Sequence, residues 1–472
     1  MKPPIFVILA ANLVTGCDLA PAYHPPVISV PVSYQQRSQW SVANPADAMP
    51  RGAWWQIYQD DLLNHLEARL LGSNPDLAEA QARYDGARSL VAQARAGLFP
   101  QIDAGAHVLA NRQSAERPLR SAHQPNEYQD NAISAQATYE LDLWDQVANA
   151  VKARRNEAEA SAADWQNLRL SLCAELATSY FTLRGDDATI AVLASTVQSY
   201  EQVMKLTQNR LAGNIASGID VARAASQLDD ARAQLADLEA GRGLTEHAIA
   251  LLVGVTPAEL SIAPRAIALD PPPISAGLPA GLLQRRPDVA AAEREMEAAN
   301  AQIGVARAAF YPNLSLNLVL GLQSNGFRNF DLPDSFWSVG PGMILPLFEG
   351  GLRRAEERQA YAAYHATIAS YRATVLRAFG DVEDALTLLH WLGEEQKFED
   401  QSVVDTGHSL SMAMDLYQEG VIDFLDVQTA QSSALLAQRR AVDLRTRRMA
   451  ASVSLIKALG GGWQASDLPK SK

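Results

Sequence analysis

The chain has 472 residues, of which 48% are hydrophobic, and a formal net charge of −13 at pH 7. This length suits two or three ordinary domains or one large repetitive domain, and the hydrophobic content excludes a wholly disordered chain. Because the chain is acidic and has no stripe rich in Lys and Arg, we expect no nucleic-acid partner.

The N-terminus predicts a lipoprotein. Residues 5–16 form an apolar run that is too short to span a bilayer as a helix and is typical of a secretory signal. Two small residues directly precede Cys17, as at sites where lipoprotein signals are cut. We expect residues 1–16 to be removed and Cys17 to be acylated, which anchors a chain without spanning the membrane. The alternative is an ordinary cysteine near a cleavage site. Asp18 follows, a residue that in some bacteria signals inner-membrane retention.

A long internal repeat divides the chain. The segment NPDLAEAQARYDGARSLVAQARAGLFPQI from Asn74 aligns without gaps with RPDVAAAEREMEAANAQIGVARAAFYPNL from Arg286, 212 residues later. Similarity at this spacing indicates two copies of one structural unit. We therefore divide the chain into an N-terminal segment at 17–73, copy one at 74–285, copy two at 286–459 and a C-terminal tail at 460–472.

Each copy is expected to begin with a helix, at 75–97 and 287–309, and to continue into a β-hairpin, at 101–144 and 311–348. Each hairpin contains two segments of about ten alternating residues, the length of a tilted transmembrane strand. One face is apolar, as in the leucines at 314, 316, 318, 320 and 322. The polar faces carry Glu140, Asp142 and Asn317, which we expect to face an aqueous lumen.

Long helices are expected after the hairpins, at 146–209 and 350–414, because these segments lack proline. Return helices are expected at 220–253 and 424–459, with a connection at 255–285 between the copies. The return helix and the first helix of each copy together match the length of the long helix. We infer that the shorter helices stack end to end beside the long ones.

The four predicted strands cannot close a barrel alone, because a four-stranded barrel has no room for side chains and open sheet edges are not tolerated in lipid. Either the strands form a sheet of a soluble protein or several chains pool them. The polar faces favour a shared barrel with a wet lumen. The fold class is therefore mostly α with a transmembrane β component.

Several segments, in order and spacing, resemble the outer-membrane factor (TolC-like) family, in particular its NodT-like lipoprotein branch: CDLAPAYHPP, YELDLW, GLPAGLLQRRPDVAAAE, ARAAFYPNLSL, LPLFEGGLRRA and VLRAFGDVEDAL. The resemblance implies a homotrimer with a 12-stranded β-barrel in the outer membrane and a periplasmic α-helical barrel. It also implies the exit duct of a tripartite efflux system for small toxic compounds. The implied partners are outer-membrane lipid, a periplasmic adaptor and an inner-membrane pump of the RND type.

The same resemblance implies a periplasmic gate around the turn at Gly420. Tyr417 falls where TolC-like ducts carry a tyrosine link, and Asp426 falls where they carry an aspartate that narrows the pore. Thr429 occupies the next acidic position of that pattern, and Asp423 is a candidate for a second ring without a motif match. Three copies of such a carboxylate would repel one another and attract cations. The alternative is that Asp423 and Asp426 only start the return helix.

Motifs for catalysis are absent from the sequence, which has no HExxH, no GxSxG and no Gly-rich loop ending in GK[ST]. We expect no enzyme activity, no cofactor and no metal site. Two alternatives from other functional classes stay open: a duct for protein or peptide secretion, and a periplasmic coiled-coil scaffold without a pore.

Overall fold

The structure is a computed structural model that describes residues 18–26, 28, 52–118, 121, 123–265, 267, 269–274, 285–325 and 334–462. The predicted signal at 1–16 and Cys17 lie outside the described residues. So do parts of the predicted 17–73 and 255–285 segments and residues 463–472 of the tail.

Long helices and one four-stranded sheet make up the described chain. The strands are β1 (Gln101–Arg112), β2 (Glu127–Leu141), β3 (Asn313–Ser324) and β4 (Ser335–Ile344). The helices are α1 (Asp61–Ser73), α2 (Pro75–Ala96), α3 (Gln146–Ala212), α4 (Gly218–Leu252), α5 (Pro287–Ala308), α6 (Leu352–Glu419) and α7 (Phe424–Ala458). This confirms the expected combination of four antiparallel strands with long helices. Within the described ranges, no helix has both the length and the apolar character needed to cross a bilayer.

The two long helices contain 67 residues in α3 and 68 in α6. At 1.5 Å per residue each is about 100 Å long. Helix α6 begins at Leu352 rather than at the predicted 350, because Gly350 and Gly351 both have positive φ. Copy one has no glycine there, and Asp145 takes the left-handed conformation at φ 51° instead.

The sheet is antiparallel in the order β1-β2-β3-β4. Its register joins the predicted apolar residues across all four strands, as in the row Ile102, Ala137, Leu318 and Val339. A slip of one residue would turn every apolar side chain to the other face, so this row fixes the register. β2 and β4 end at Leu141 and Ile344, earlier than the predicted hairpin ends at 144 and 348.

Strand order and helix order are the same, because each strand is joined directly to one helix. β1 follows α2, β2 precedes α3, β3 follows α5 and β4 precedes α6. Near the sheet, α2 packs on α3, α3 on α5 and α5 on α6; at the far end, α4 packs on α3, α3 on α7 and α7 on α6. One side of the described chain therefore ends with β1, α2 and α4, and the other with β4 and α6.

End-to-end stacking of the shorter helices is confirmed in both copies. In copy one, Asn74 Nδ2 donates to the carbonyl of Leu252, the last residue of α4, at 2.9 Å. In copy two, Arg286 Nη1 donates to the carbonyl of Ala458, the last residue of α7, at 3.3 Å. Side chains at the start of one helix thus bind carbonyls that the end of the other leaves unpaired.

The largest apolar core lies where these helices meet. Trp54, Leu63 and Leu66, from the segment before copy one, are buried there against residues of α3 such as Leu176 and Phe181. This part of the segment, from Trp54 to Leu66, therefore packs around the middle of the long helices, far from both the sheet and the turns.

Candidate functional site

Tyr417 lies in the last two turns of α6, beside the turn that joins α6 to α7. Its side chain is only 3% exposed and packs against Val203, Phe424 and Val427. The phenol oxygen is 3.1 Å from Thr207 Oγ1 on α3. The predicted tyrosine therefore joins the ends of the two long helices in this structure.

Arg210, near the end of α3, holds the same tyrosine from the other side. The guanidinium carbon lies 4.6 Å from the centre of the Tyr417 ring, a cation–π contact. Nη1 donates to the Tyr417 carbonyl and, at 3.5 Å, to the Gln418 carbonyl. These carbonyls belong to the unpaired end of α6, where a cation is favoured.

Sequence reasoning missed both Thr207 and Arg210, because they lie in copy one, about 210 residues from Tyr417. One signal could have found Arg210. Gly213 and Gly420 follow α3 and α6 as equivalent residues, and Arg210 and Tyr417 each stand three residues before them. Equivalent positions of the two copies therefore hold a cation and an aromatic ring.

Asp423 and Asp426 lie together at the start of α7 and are exposed. Asp423 occupies the N-cap position, but its side chain makes no capping hydrogen bond. In copy one, by contrast, Ser217 caps α4 and its backbone N–H donates to Asp220, which completes a capping box. Asp423 is therefore free of the capping contact that the helix-start interpretation expects, although its charge still suits a helix N-terminus.

Glu140 and Asn317 lie on the polar face of the sheet. Glu140 Oε1 accepts from Asn313 Nδ2 at 2.9 Å, and Asn317 Nδ2 donates to Ser315 Oγ at 3.1 Å. Asp103 on β1 shares this face, because it pairs with Gln136. The alternation of the first strand could have identified Asp103, which sequence reasoning passed over.

The assignment of Asp142 to a strand was wrong. β2 ends at Leu141, and the Asp142 carboxylate instead accepts from the Ala148 backbone N–H in the first turn of α3, at 2.8 Å. The chain leaves the sheet here because Asp145 turns it into α3 and the Trp144 indole donates to the Pro312 carbonyl at 2.8 Å. Asp142 therefore satisfies an unpaired N–H of the helix.

No group of three or more His, Cys, Asp or Glu side chains in the described residues is arranged to hold a metal ion.

Comparison with known proteins gives matches along almost the whole chain. The family model of outer membrane efflux proteins matches at residues 66–255 and again at 278–461, so each match covers most of one copy. The toluene efflux pump outer membrane protein TtgF of Pseudomonas putida is 30% identical, with 98% of each chain covered. The pyoverdine export outer membrane protein OpmQ of Pseudomonas aeruginosa is 31% identical, with 97% of each chain covered.

Solved structures show the same arrangement of strands and helices. The outer membrane protein VceC of Vibrio cholerae superposes with a TM-score of 0.82 at 29% identity, covering 88% of this chain and 100% of that one. Both copies, the sheet and the long helices are therefore shared with a known outer membrane protein. The chain belongs to the outer membrane efflux protein family, and it is a transport protein rather than an enzyme.

Proposed function

We propose that the chain forms, as a homotrimer, the exit duct of a tripartite efflux system in the outer membrane. Small toxic compounds would reach it from an inner-membrane pump of the RND type through a periplasmic adaptor. The observation that carries this proposal is the shared order of strands and helices. It leaves one open sheet edge and one open helix edge on each side of the chain.

The open sheet edges support a shared barrel. β1 and β4 each have one neighbour in the sheet, and both edges would expose unpaired backbone groups to lipid. Because neighbouring strands alternate in direction, β4 of one subunit can pair antiparallel with β1 of the next subunit. Three subunits then give a closed ring of about 12 strands, which is wide enough for a lumen.

The same closure brings α6 of one subunit beside α2 and α4 of the next subunit. α6 has a buried row at seven-residue spacing, Ala378, Ala385 and Leu392, that packs within the chain. A second row is exposed: Trp391 by 60% and Phe398 by 76%, seven residues apart, and Met412 by 59%, a further 14 residues along with Asp405 at the heptad position between them. Two heptad rows on one helix indicate two coiled-coil partners, and the second row lacks a partner within the described residues.

Leu244 on α4 is a suitable partner for the second row. It is exposed, and α4 forms the opposite edge of the chain. Its level along the helices follows from two ion pairs, Arg242 with Asp187 and Arg445 with Asp400. Between them Thr446 of α7 packs so closely on Gly185 of α3 that a Cβ there would lie 2.2 Å from Thr446 Oγ1. Along the direction of the long helices, Phe398 of one subunit is therefore expected at nearly the same position as Leu244 of the next subunit.

The gate is proposed at the α6–α7 turn. Tyr417, with Arg210 and Thr207, would hold the helix ends together in the closed duct. Asp423 and Asp426 would form rings of three carboxylates around the axis and would favour cations there. Glu140 and Asn317 would face the lumen of the barrel.

The lipid anchor is proposed at Cys17, which would be acylated after removal of residues 1–16. Insertion of the barrel would set the outer-membrane location, with the acyl chain as an additional anchor. The names of the relatives, which mention toluene and pyoverdine, support small molecules as the cargo. They give no support to a protein cargo.

One experiment separates the duct from a scaffold. The mature protein is extracted with detergent, run without heating on a denaturing gel, and reconstituted in planar bilayers. We expect a trimer that dissociates on heating and that conducts ions. A monomer that dissolves without detergent and gives no conductance would reject the duct. Drug and solvent susceptibility of a deletion strain, with purification of the bound adaptor, would then identify the cargo.

A further inference from the structure

The first described residues of the chain run along α5 in the opposite direction. The Leu19 carbonyl accepts from Arg307 Nη1 at 3.3 Å, and the Pro21 carbonyl accepts from Asn300 Nδ2 at 2.8 Å. Tyr23 OH lies 3.5 Å from the Glu293 carbonyl. We call residues 18–23 the N-terminal strap. Its contacts fall on α5 at intervals of seven residues, so the strap follows one side of this helix.

The path of the strap is shaped by a glycine. A Cβ added to Gly304 would lie 2.9 Å from the Ala20 Cβ and 2.6 Å from Asn149 Nδ2, closer than such atoms approach. Only glycine therefore leaves room for the strap to pass between α5 and the start of α3.

Two buried amides line the same passage. Asn300 is 2% exposed and Asn149 is 3% exposed. Asn149 Nδ2 donates to Asp18 Oδ1 at 3.0 Å. A buried amide that lost this acceptor would be left unpaired, which is costly. Two buried amides of the chain thus receive polar groups of the strap, whose own Asp18 is exposed.

Arg307 connects the strap to α6. Besides the Leu19 carbonyl, its guanidinium contacts Glu357 at 3.4 Å and lies 5.4 Å from the centre of the Tyr361 ring. The strap therefore contacts the helices α3 and α5 directly and is connected to α6 through Arg307.

The passage begins directly beneath the sheet. Asn149 lies in the first turn of α3, close after the end of β2. Trp144 and Tyr311 stack at the same end of the sheet with their ring centres 4.7 Å apart. Aromatic side chains at the ends of barrel strands are typical of the interface between a membrane and water.

We propose that Asn149, Asn300, Gly304 and Arg307 form a receptor for the chain's own N-terminus, and that Asp18 is its positioning residue. The receptor fixes Asp18, the residue that follows the proposed lipid anchor, against the first turn of α3 and so near the end of β2. The consequence for the anchor rests on the proposed acylation of Cys17, whereas the receptor itself does not.

Asp18 serves as an acceptor rather than as a charge in this receptor. Its Oδ1 accepts from Asn149 and also from the Ala20 backbone N–H at 2.9 Å. Burial, and then the nearby carboxylates of Asp142 and Asp18, raise the pKa of Asp145, so Asp18 and Asp145 lie close enough to repel each other. An asparagine at position 18 would keep the acceptor oxygen and remove the repulsion.

The test measures amide hydrogen exchange in the peptide that covers residues 18–24, with the full mature chain in detergent. We expect slow exchange in the wild type. Asp18→Ala, Asn149→Ala and Asn300→Ala should each speed it by about tenfold or more, whereas Asp18→Asn should not. Asp76→Ala, which removes a carboxylate from the first turn of α2, is the matched control and should leave this exchange unchanged.

Exchange of residues 18–24 at the rate of a free peptide in the wild type would overturn the proposal. So would equal rates in the wild type, Asp18→Ala and Asn300→Ala. If one variant does not assemble, the comparison of the remaining two with Asp18→Asn still decides. Mass spectrometry of the N-terminal peptide reports acylation separately, so an unacylated chain with a protected strap would reject the anchor and keep the receptor.

Discussion

Arg210 and Tyr417 occupy equivalent positions in the two copies, three residues before the turn glycines, and the guanidinium of one lies 4.6 Å from the ring centre of the other. A duplicated chain has thus placed two different residues at one equivalent position and joined them. The contact ties the end of the long helix α3 to the end of the long helix α6, which is where the proposed gate would need a closure.

Arg210→Ala is expected to loosen this end of the molecule. The change removes a cation–π contact and a hydrogen bond from a charged donor, which together are worth about 2 kcal/mol. Single-channel conductance in planar bilayers should rise, with trimer assembly unchanged. The control is Arg232→Ala, because the exposed Arg232 of α4 pairs with the exposed Glu201 of α3. Equal conductance of both variants and the wild type would contradict a closing role for Arg210.

Asp426→Ala is expected to weaken the binding of cations at the proposed gate, beside the α6–α7 turn. Three carboxylates around one axis would be lost together, so block by divalent cations should fall and conductance should rise. Asp423→Ala shows whether the residue three positions earlier contributes. Asp220→Ala, at the equivalent helix start in copy one, serves as the control. If the Asp426→Ala channel keeps the wild-type block and conductance, the carboxylate ring is not at this residue.

Leu318→Arg is expected to impair assembly, because the sheet register puts Leu318 in the apolar row with Ala137 and Val339. An arginine that faces lipid near the middle of a membrane costs about 2 to 4 kcal/mol. Asn317→Arg changes the neighbouring residue on the polar face and should assemble normally. The yield of heat-sensitive trimer in membranes measures both. Normal yield of the first variant, or loss of the second, would reverse the assigned faces.

Trp391→Glu and Phe398→Glu are expected to break the contact between subunits. Each puts a charge into the exposed heptad row of α6, where a coiled-coil partner would exclude water. Leu376→Glu is the matched control, since Leu376 is equally exposed on α6 but lies outside that row. Gel filtration in detergent should show monomers for the first two variants and trimers for the control. Trimers in all three would exclude this row from the interface.

Glu67 is expected to make the stability of the fold depend on pH between about 4.5 and 8. The side chain is 0% exposed, and burial raises its pKa to about 8, against weaker opposite effects from the Cys173 thiol and Arg169. Since the folded chain holds this proton more tightly than the unfolded chain, stability from Glu67 is complete below about pH 4.5 and falls as the pH rises to 8. The loss is at most about 1.4 kcal/mol per pH unit.

Glu67→Gln should remove this dependence and raise the unfolding midpoint at pH 8 more than at pH 5. Urea or thermal unfolding, followed by circular dichroism at both pH values, provides the measurement. Glu175→Gln, on the exposed side of α3, is the control. A variant that stays as sensitive to pH as the wild type would show that Glu67 is not the responsible group.

Much of the fold could be predicted because it depends on local patterns. The leucines of β3 alternate at the period of a strand, and that period also fixes which residues share a face. The long helices follow from proline-free segments of nearly 70 residues. Predictions failed where two elements join. Asp142 was assigned to a strand because the alternation continues past the point where Asp145 turns the chain into α3.

The sequence by itself determined the duplication, the faces of the strands and the lengths of the helices, because each depends on residues close together in the chain. Only the tertiary structure decided that Arg210 meets Tyr417, that Glu67 is buried in the core and that Asp18 is held by Asn149. The residues in each of these contacts are separated by long stretches of chain. Only the packing of the folded segments on one another sets the distance between their side chains and buries Glu67. Their chemistry was visible in the sequence, whereas their partners were not.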